Sequence, residues 1–246
     1  MKVGVVPAVV LAVVIGLVAV FNLFAEYTFN PPYLQLILNL IFITGTGIVV
    51  AIISAKTYLS HGSPNILLLG SAVLVSGLTA LFAGWASSSA NANISIFNIG
   101  ILASSVLQCL SAVVTFEEIK FKALHSREVT LAVAYTASII FVLLLTVVTV
   151  LGGIPTFFTP SGPTWLREAT LGAATFFFTL ACFIYSWQYI RSKSKILYWY
   201  SLALVLIAVG LTGSLFEKQF SGVLSWLNRL IQYVGGFYFI LTLLTL

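Results

Sequence analysis

The chain has 246 residues, of which 60% are hydrophobic and only 7% are charged, with a net charge of +5. Its mean hydropathy of +1.12 lies far outside the range of water-soluble proteins. The apolar runs are continuous rather than alternating, which excludes an outer-membrane β-barrel and predicts an all-α membrane protein.

The apolar runs predict a polytopic bundle of eight transmembrane helices, with seven as the alternative. A bilayer core about 30 Å thick needs about 20 helical residues to cross it, and most of the runs have that length. We expect one integral membrane domain over residues 1–246. The predicted spans are 5–25, 34–55, 65–86, 94–116, 129–151, 169–190, 196–216 and 223–246.

The basic residues predict the orientation of these spans. Positive charge is enriched in cytoplasmic loops, so the side with more Lys and Arg is assigned to the cytoplasm, with both termini there. The distribution over short loops is typical of a multi-pass cell-membrane protein and not of a nucleic-acid-binding face. The assigned inner residues are Lys2, Lys56, Lys120, Lys122, Arg127, Arg191, Lys193 and Lys195, and the outer ones are Arg167, Lys218 and Arg229.

The predicted outer connectors, 26–33, 87–93 and 152–167, are rich in Pro, Gly, Asn and aromatic residues. The longest, 152–167, can fold over the helix ends as a lid, because its prolines resist helix formation and its aromatic rings favour apolar cover. Trp165 in this connector is a candidate ligand contact. The alternative is an interfacial aromatic belt, which most membrane proteins have.

The third span carries glycines at positions 70, 77 and 84, and small residues at 76 and 80 continue the same pattern. Such faces allow close helix contact in lipid, so this one is interpreted as packing. Gly45 and Gly47 in the second span are either a packing notch or a flexible point.

The fourth span carries a polar stripe. Ser104, Gln108, Ser111 and Thr115 follow one another at steps of four, three and four, which places them on one helix face that should point inward. Gln108 either bonds a neighbouring helix or lines a small polar cavity. The same two interpretations apply to Asn39 and to Asn98, which lies nearer the predicted outer surface.

A charged cluster surrounds the last predicted outer turn. Arg229, Gln232 and Gly236 share a helix face, and a membrane-embedded arginine needs to pair or to reach the interface. The cluster is either a structural clamp or an anion or polar-ligand site beneath the lid. The candidate partners of Arg229 are Glu217, Glu168 and Glu26, and the other polar members are Lys218 and Asn228.

Several activities are disfavoured by the residues present. His61 and His125 lie in predicted cytoplasmic loops, where they cannot serve as facing haem ligands. The chain has no Asp, its six Glu lie at span ends, and no metal-spaced Cys/His set or phosphate-binding glycine loop is found. Cys109 and Cys182 lie in separate spans and are interpreted as packing residues. No catalysis, cofactor or metal is therefore predicted.

Five stretches carry a resemblance to a known class. They are Asn30-Pro-Pro-Tyr-Leu-Gln-Leu-Ile-Leu-Asn39, Ala51-Ile-Ile-Ser-Ala-Lys-Thr-Tyr-Leu59, Gly62-Ser-Pro-Asn-Ile-Leu-Leu-Leu-Gly70, Ser76-Gly-Leu-Thr-Ala80 and Ser95-Ile-Phe-Asn-Ile-Gly100. This region resembles the membrane-embedded N-terminal sensor regions of prokaryotic, especially archaeal, PAS-containing histidine kinases, and is similar to the MASE-type sensor domains. The resemblance implies a sensory input module with a cytoplasmic kinase or PAS output partner, and it assigns no ligand residues.

The sequence leaves three functions open. The first is a sensor or receptor input domain, in which case a chain that ends in an apolar run at Leu246 would continue into a signalling helix. A small complete membrane protein could also end there. The second is an integral subunit of a larger complex or helix-mediated oligomer, and the third is a small-solute transporter, although the two halves show no convincing repeat.

Overall fold

The computed structural model describes residues 2–21, 27–31, 33–116, 126–159, 161–217 and 219–244. The described chain is an all-α bundle with one short two-stranded hairpin. Its helices are α1 Lys2–Phe21, α2 Leu34–Asn39, α3 Thr46–His61, α4 Pro64–Trp85, α5 Ala90–Phe116, α6 Arg127–Val150, α7 Trp165–Ser192, α8 Lys195–Leu215 and α9 Val223–Leu244. A π-helical turn, Leu40–Gly45, joins α2 to α3, and the hairpin consists of β1 Phe158–Thr159 and β2 Gly162–Pro163.

Six helical segments in the described part of the chain are long and apolar enough to cross a membrane. They are the continuous segment Leu34–His61 and the five helices α4 to α8. Between Gly4 and Val18, α1 contributes a shorter apolar helix. The 22 residues of α9 include Asn228, Arg229 and Gln232, which lower its mean hydropathy. The chain is therefore a multi-pass helical membrane protein.

Local signals fix where several helices begin and end. Ser126 and Thr164 cap α6 and α7, because their hydroxyl oxygens accept hydrogen bonds from backbone amides three residues later. Pro64 occupies the first turn of α4, where its missing N–H costs nothing. Gly62 ends α3 in the left-handed conformation at φ 71°, which glycine adopts without strain.

The glycine face of α4 packs against the α2–α3 segment, as the spacing indicates. The Thr44 hydroxyl donates to the Gly77 carbonyl at 2.7 Å, and the Asn39 amide donates to the Ala80 carbonyl at 2.7 Å. A methyl group on Gly47 would lie 3.1 Å from the Val73 carbonyl oxygen, so Gly47 is a packing notch. This face is filled by the chain's own helices.

The polar stripe of α5 points into the bundle. Ser104, Gln108 and Ser111 are buried, and Thr115 is half-buried. The Ser104 hydroxyl donates to the Ala72 carbonyl at 2.8 Å, and the Ser111 hydroxyl donates to the Asn65 carbonyl at 2.7 Å. These bonds join α5 to α4. The main apolar core lies beside them and includes Leu171, Phe178, Leu204, Leu206 and Ile231.

Contacts between distant segments define two ends of the bundle. At one end, the Tyr238 hydroxyl of α9 donates to the Gly4 carbonyl of α1 at 2.9 Å. At the other, Thr28 forms an isolated antiparallel bridge with Gly222. The start of α1 and the end of α9 therefore lie at the same end of the bundle.

The end that holds the start of α1 also holds most of the basic residues, and we call it the basic end. Arg127 at the start of α6 donates to the carbonyls of Leu59 and Ser60 at the end of α3, both at 3.0 Å. Lys56 lies near the end of α3, and Arg191, Lys193 and Lys195 lie at the turn between α7 and α8. Lys120, Lys122 and His125 lie outside the described residues. The side chain of Lys2 is likewise not described.

The long connector between α6 and α7 lies at the opposite end of the bundle. Its hairpin packs on the beginning of α5, where the Asn91 side-chain oxygen accepts bonds from the amides of Phe157 and Phe158 at 2.8 and 3.1 Å. Phe157 is buried. Helix α7 begins at Trp165, four residues before the predicted span, so Arg167 belongs to the helix and not to the connector.

Candidate functional site

A buried polar cavity of about 50 Å³ lies at the end of the bundle opposite the basic end, and we call it the polar cavity. Its walls come from α2 and the π-helical turn, from α5, from the start of α7, and from the α8–α9 turn and α9. It is large enough for about four water-sized groups. The lining residues are Gln35, Asn39, Ile43, Asn93, Ile94, Phe97, Asn98, Arg167, Ser214, Glu217, Phe220, Ser225, Arg229 and Gln232.

Four of the six predicted site residues line this cavity: Asn98, Glu217, Arg229 and Gln232. Gln108 lies deeper in the bundle, on a second cavity. Trp165 does not join either group, because its side chain is 77% exposed at the start of α7. That position is typical of an interfacial aromatic residue.

Arg167 is a charged site residue that the sequence interpretation missed. Assigned to an outer connector, it is in fact 2% exposed and forms an ion pair with Glu217, with Nη2 at 3.0 Å from Oε2. The same nitrogen donates to the Ser214 carbonyl at 2.9 Å. The salt bridge therefore ties the start of α7 to the end of α8.

A sequence signal for this burial exists. Thr164 is a helix-capping residue, and counting from Arg167 the buried positions of α7 follow at steps of four and three through Leu171, Ala174 and Phe178. Arg167 occupies the first position of that apolar face. The proline-rich connector before it obscured the start of the helix.

The other Glu217 oxygen organises the start of α9. Oε1 accepts from the Asn228 amide at 2.8 Å and from the Ser214 hydroxyl at 3.2 Å. Asn228 fits because α8 has a glycine opposite it: a Cβ on Gly213 would overlap the Asn228 side-chain oxygen. Glu217 therefore holds α7, α8 and α9 together.

Among the described residues, no carboxylate lies at ion-pair distance from Arg229. Within the described residues, the carboxylate at ion-pair distance from an arginine is Glu217, and its partner is Arg167. Glu168 is exposed, and Glu26 lies outside the described residues. The Arg229 guanidinium instead lies over the rings of Trp226 and Phe220, at 5.1 and 5.9 Å from their centroids. Glu217 still attracts it through space.

Several buried donors at the polar cavity have no hydrogen-bond partner among the residues that the structure describes. They are Asn98 Nδ2, Arg167 Nε, Arg167 Nη1 and Arg229 Nη1. The corresponding acceptor on the cavity wall is Gln35 Oε1. Leaving buried polar groups unpaired costs about 1–3 kcal/mol each, more when they are charged. The cavity is therefore rich in donors that its own walls do not satisfy.

A second cavity of about 40 Å³ lies further into the bundle and shares Ile43, Phe97 and Gln232 with the first. Gln108 lies on its wall, and its side-chain oxygen accepts a hydrogen bond from the Tyr200 hydroxyl of α8. Gln108 thus both bonds a neighbouring helix and lines a cavity. Asn39 bonds neighbouring helices through both ends of its amide, because its nitrogen donates to the Ala80 carbonyl and its oxygen accepts from the Tyr233 hydroxyl at 2.9 Å.

A third, larger cavity of about 230 Å³ approaches the basic end between α3, α4, α8 and α9. Tyr185 and Ser111 bond each other beside it at 2.8 Å, and the Asn65 amide donates to the Thr115 hydroxyl at 3.0 Å. Polar groups therefore recur along much of the interior of the bundle.

The described residues contain no group of three or more His, Cys, Asp or Glu that could hold a metal ion. Cys109 and Cys182 are free thiols. The arrangement supplies positive charge and hydrogen-bond donors, which are suited to binding.

Together, the fold and the cavity define a multi-pass helical membrane protein with a buried, donor-rich polar site near one end of its bundle. No protein-family model, curated protein or solved structure matches the chain.

Proposed function

We propose that the chain is a membrane-embedded sensory input domain that binds a small polar cue in the polar cavity and relays a helix shift to cytoplasmic signalling domains. In this proposal all eight helical segments cross the plasma membrane, with the basic end and both termini in the cytoplasm. The charge distribution supports that orientation. The polar cavity then lies on the outer side, where an external cue can reach it.

The observation that carries the proposal is the set of unpartnered donors around the small polar cavity. A structural clamp would use its donors within the protein, as the contacts of Glu217 do. Asn98 and Arg229 instead contribute groups that the surrounding helices leave unpaired. A bound molecule in the cavity would pair them.

The segment that would relay binding is the contact between α9 and the π-helical turn. Ile43 of the turn and Arg229 and Gln232 of α9 line the same cavity. Further along α9, Gly236 lies so close to the Phe42 carbonyl that a Cβ there would overlap it. π-Helical turns are frequent at functional sites and can shift the register of a helix. A cue that moves α9 against this turn would move the end of α9 at the cytoplasm.

The test measures whether a change at the polar cavity reaches the basic end. Spin labels are placed at Leu59 on α3 and Phe237 on α9, in a background with Cys109 and Cys182 replaced by alanine. The Glu217→Gln variant weakens the ion pair at the cavity. In lipid nanodiscs, we expect the distance between the labels to shift by about 1–2 Å, the scale of helix displacements in switching proteins.

The matched control is Glu168→Gln, which removes an exposed carboxylate one residue from Arg167. We expect this variant to leave the distance unchanged. If Glu217→Gln lowers stability but the distance distribution stays that of the unmodified chain, the bundle is a rigid scaffold and the sensor proposal is wrong.

A second candidate function, transport of a small solute, is favoured by one observation. The polar cavity and the second cavity share three wall residues, and the second and third cavities share Phe239. A flux assay in proteoliposomes separates the two functions: a transporter moves acetate across the membrane, whereas a sensor binds without moving it. The subunit alternative draws no support from the glycine face of α4, because α2 and α3 fill it.

A further inference from the structure

We infer that the ligand of the polar cavity is a small planar monoanion, a carboxylate or another oxoanion of about three or four non-hydrogen atoms. This inference names the chemistry of the cue and rests on the proposed function only for its role as a signal. Binding of the anion depends only on the residues of the polar cavity.

The net charge of the cavity wall favours a monoanion. The described charged side chains on the cavity wall are Arg167, Arg229 and Glu217, so two positive charges face one negative charge. Arginine stays protonated in proteins. An uncompensated charge is costly away from water, and one bound monoanion would neutralise it.

The unpaired hydrogen-bonding groups of the cavity wall favour an oxoanion. An oxoanion accepts bonds and donates none, and the unpartnered wall atoms are mostly donors. Arg167 and Asn98 are 2% and 3% exposed, so their free N–H groups cannot turn to bulk solvent. Carboxylates match the planar fork of a guanidinium and receive shorter, stronger hydrogen bonds from it.

The volume of the polar cavity limits the size of the ligand. A space of about 50 Å³ admits about four water-sized groups, which is the size of formate, acetate, nitrate or bicarbonate. A sugar or an amino acid would need a larger space. Aromatic walls from Phe97 and Phe220 suit the flat faces of a planar ion.

The anionic group could come from free solute or from a lipid carboxylate. An apolar groove lies on a neighbouring face of α9, and Trp226 on its wall is one of the rings beneath Arg229. A fatty acid would place its carboxylate at Arg229 and its tail in this groove. The chemistry at the cavity is the same for both sources.

The experiment measures binding of radiolabelled acetate to the full chain in neutral phosphatidylcholine nanodiscs. We expect saturable binding that nitrate and formate displace and that neutral acetamide does not. Arg229→Gln should weaken affinity by about tenfold or more, since bonds to charged groups are the strong ones. Arg191→Gln removes the same charge at the basic end and should leave affinity unchanged.

A second variant guards against misfolding. Asn98→Leu keeps a similar volume and removes the side-chain amide with its unpartnered Nδ2, and it should also weaken acetate binding while the unfolding midpoint of the protein stays close to that of the unmodified chain. A competition arm with oleate identifies the source: displacement at much lower concentration than acetate assigns the site to a lipid carboxylate, and weak displacement assigns it to a free anion.

Absence of saturable binding, or equal binding in the unmodified chain and both variants, would mean that the cavity holds water only and would overturn the inference. That result would not decide the sensor proposal, which the Leu59–Phe237 distance in the Glu217→Gln variant tests separately. Acetate binding without any change in the Leu59–Phe237 distance supports the ligand class and counts against the sensor.

Discussion

The hydrogen bond between Gln108 and Tyr200 gives the sharpest test of the interior. Both residues are buried, at 1% and 3% exposure, and the bond joins α5 to α8 in the middle of the bundle. Tyr200→Phe leaves the Gln108 oxygen without this donor, and Gln108→Leu leaves the Tyr200 hydroxyl without this acceptor. Each single variant should lower the free energy of unfolding by about 1–3 kcal/mol.

The double variant removes both polar groups and should cost less than the sum of the two single variants. Coupling energies of hydrogen bonds between membrane helices average about 0.6 kcal/mol and reach about 1.7 kcal/mol. The cavity beside Gln108, about 40 Å³, admits water that can partly replace the lost partner. We therefore expect a coupling nearer the lower of those two values.

The assay is equilibrium unfolding in mixed micelles, with increasing denaturing detergent, for the four members of the cycle. As a control, Gln108→Leu is combined with Tyr135→Phe, because the Tyr135 hydroxyl donates to the Ala51 carbonyl and shares no partner with Gln108. The control pair should be additive within about 0.5 kcal/mol. Full additivity in the Gln108–Tyr200 cycle itself would refute the bond as a stabilising contact.

Three further predictions concern packing and caps. Gly213→Ala should lower the free energy of unfolding by about 1–3 kcal/mol, because its methyl group would overlap the Asn228 side chain. Gly172→Ala places its methyl group in open space and should not destabilise the protein. Equal effects of the two substitutions would contradict this account. Thr164→Ala should lower the free energy of unfolding by about 1 kcal/mol through loss of the α7 cap, and so lower the unfolding midpoint. An unchanged midpoint would show that the cap is dispensable. Asn91→Ala should speed proteolysis within residues 152–164 by about tenfold, because it removes the acceptor of the Phe157 and Phe158 amides. An unchanged cleavage rate would show that other contacts hold the connector.

Much of the architecture follows from the sequence because its signals are local. Continuous apolar runs of about 20 residues can satisfy their backbone groups in lipid only as helices. Most ends of the described helices lie within four residues of the predicted spans, whereas α3 continues six residues past its predicted end, to His61. The spacing of polar residues was also sufficient to predict which face of α5 points inward, and the spacing of glycines predicted the packing face of α4. The π-helical turn was not predictable in this way, since Leu40–Gly45 is as apolar as an ordinary helix.

The candidate site was only partly predictable. The polarity of Asn98, Glu217, Arg229 and Gln232 within apolar surroundings marked them as unusual, and they do line one cavity. For Trp165 the sequence indicated only the general tendency of aromatic rings to lie at membrane interfaces, and its side chain is exposed. A residue's type indicates that it needs a partner, but it does not name that partner.

The sequence by itself determined that this protein folds as helices in a membrane, because length and apolar composition decide how a backbone is satisfied without water. Only the tertiary structure decided that Arg167 pairs with Glu217 while Arg229 rests on aromatic rings with an unpaired donor. The physical reason is that these groups lie on three helices, and their distances depend on how the helix ends pack. The excess positive charge and the unpartnered hydrogen-bond donors of the polar cavity arise from that packing.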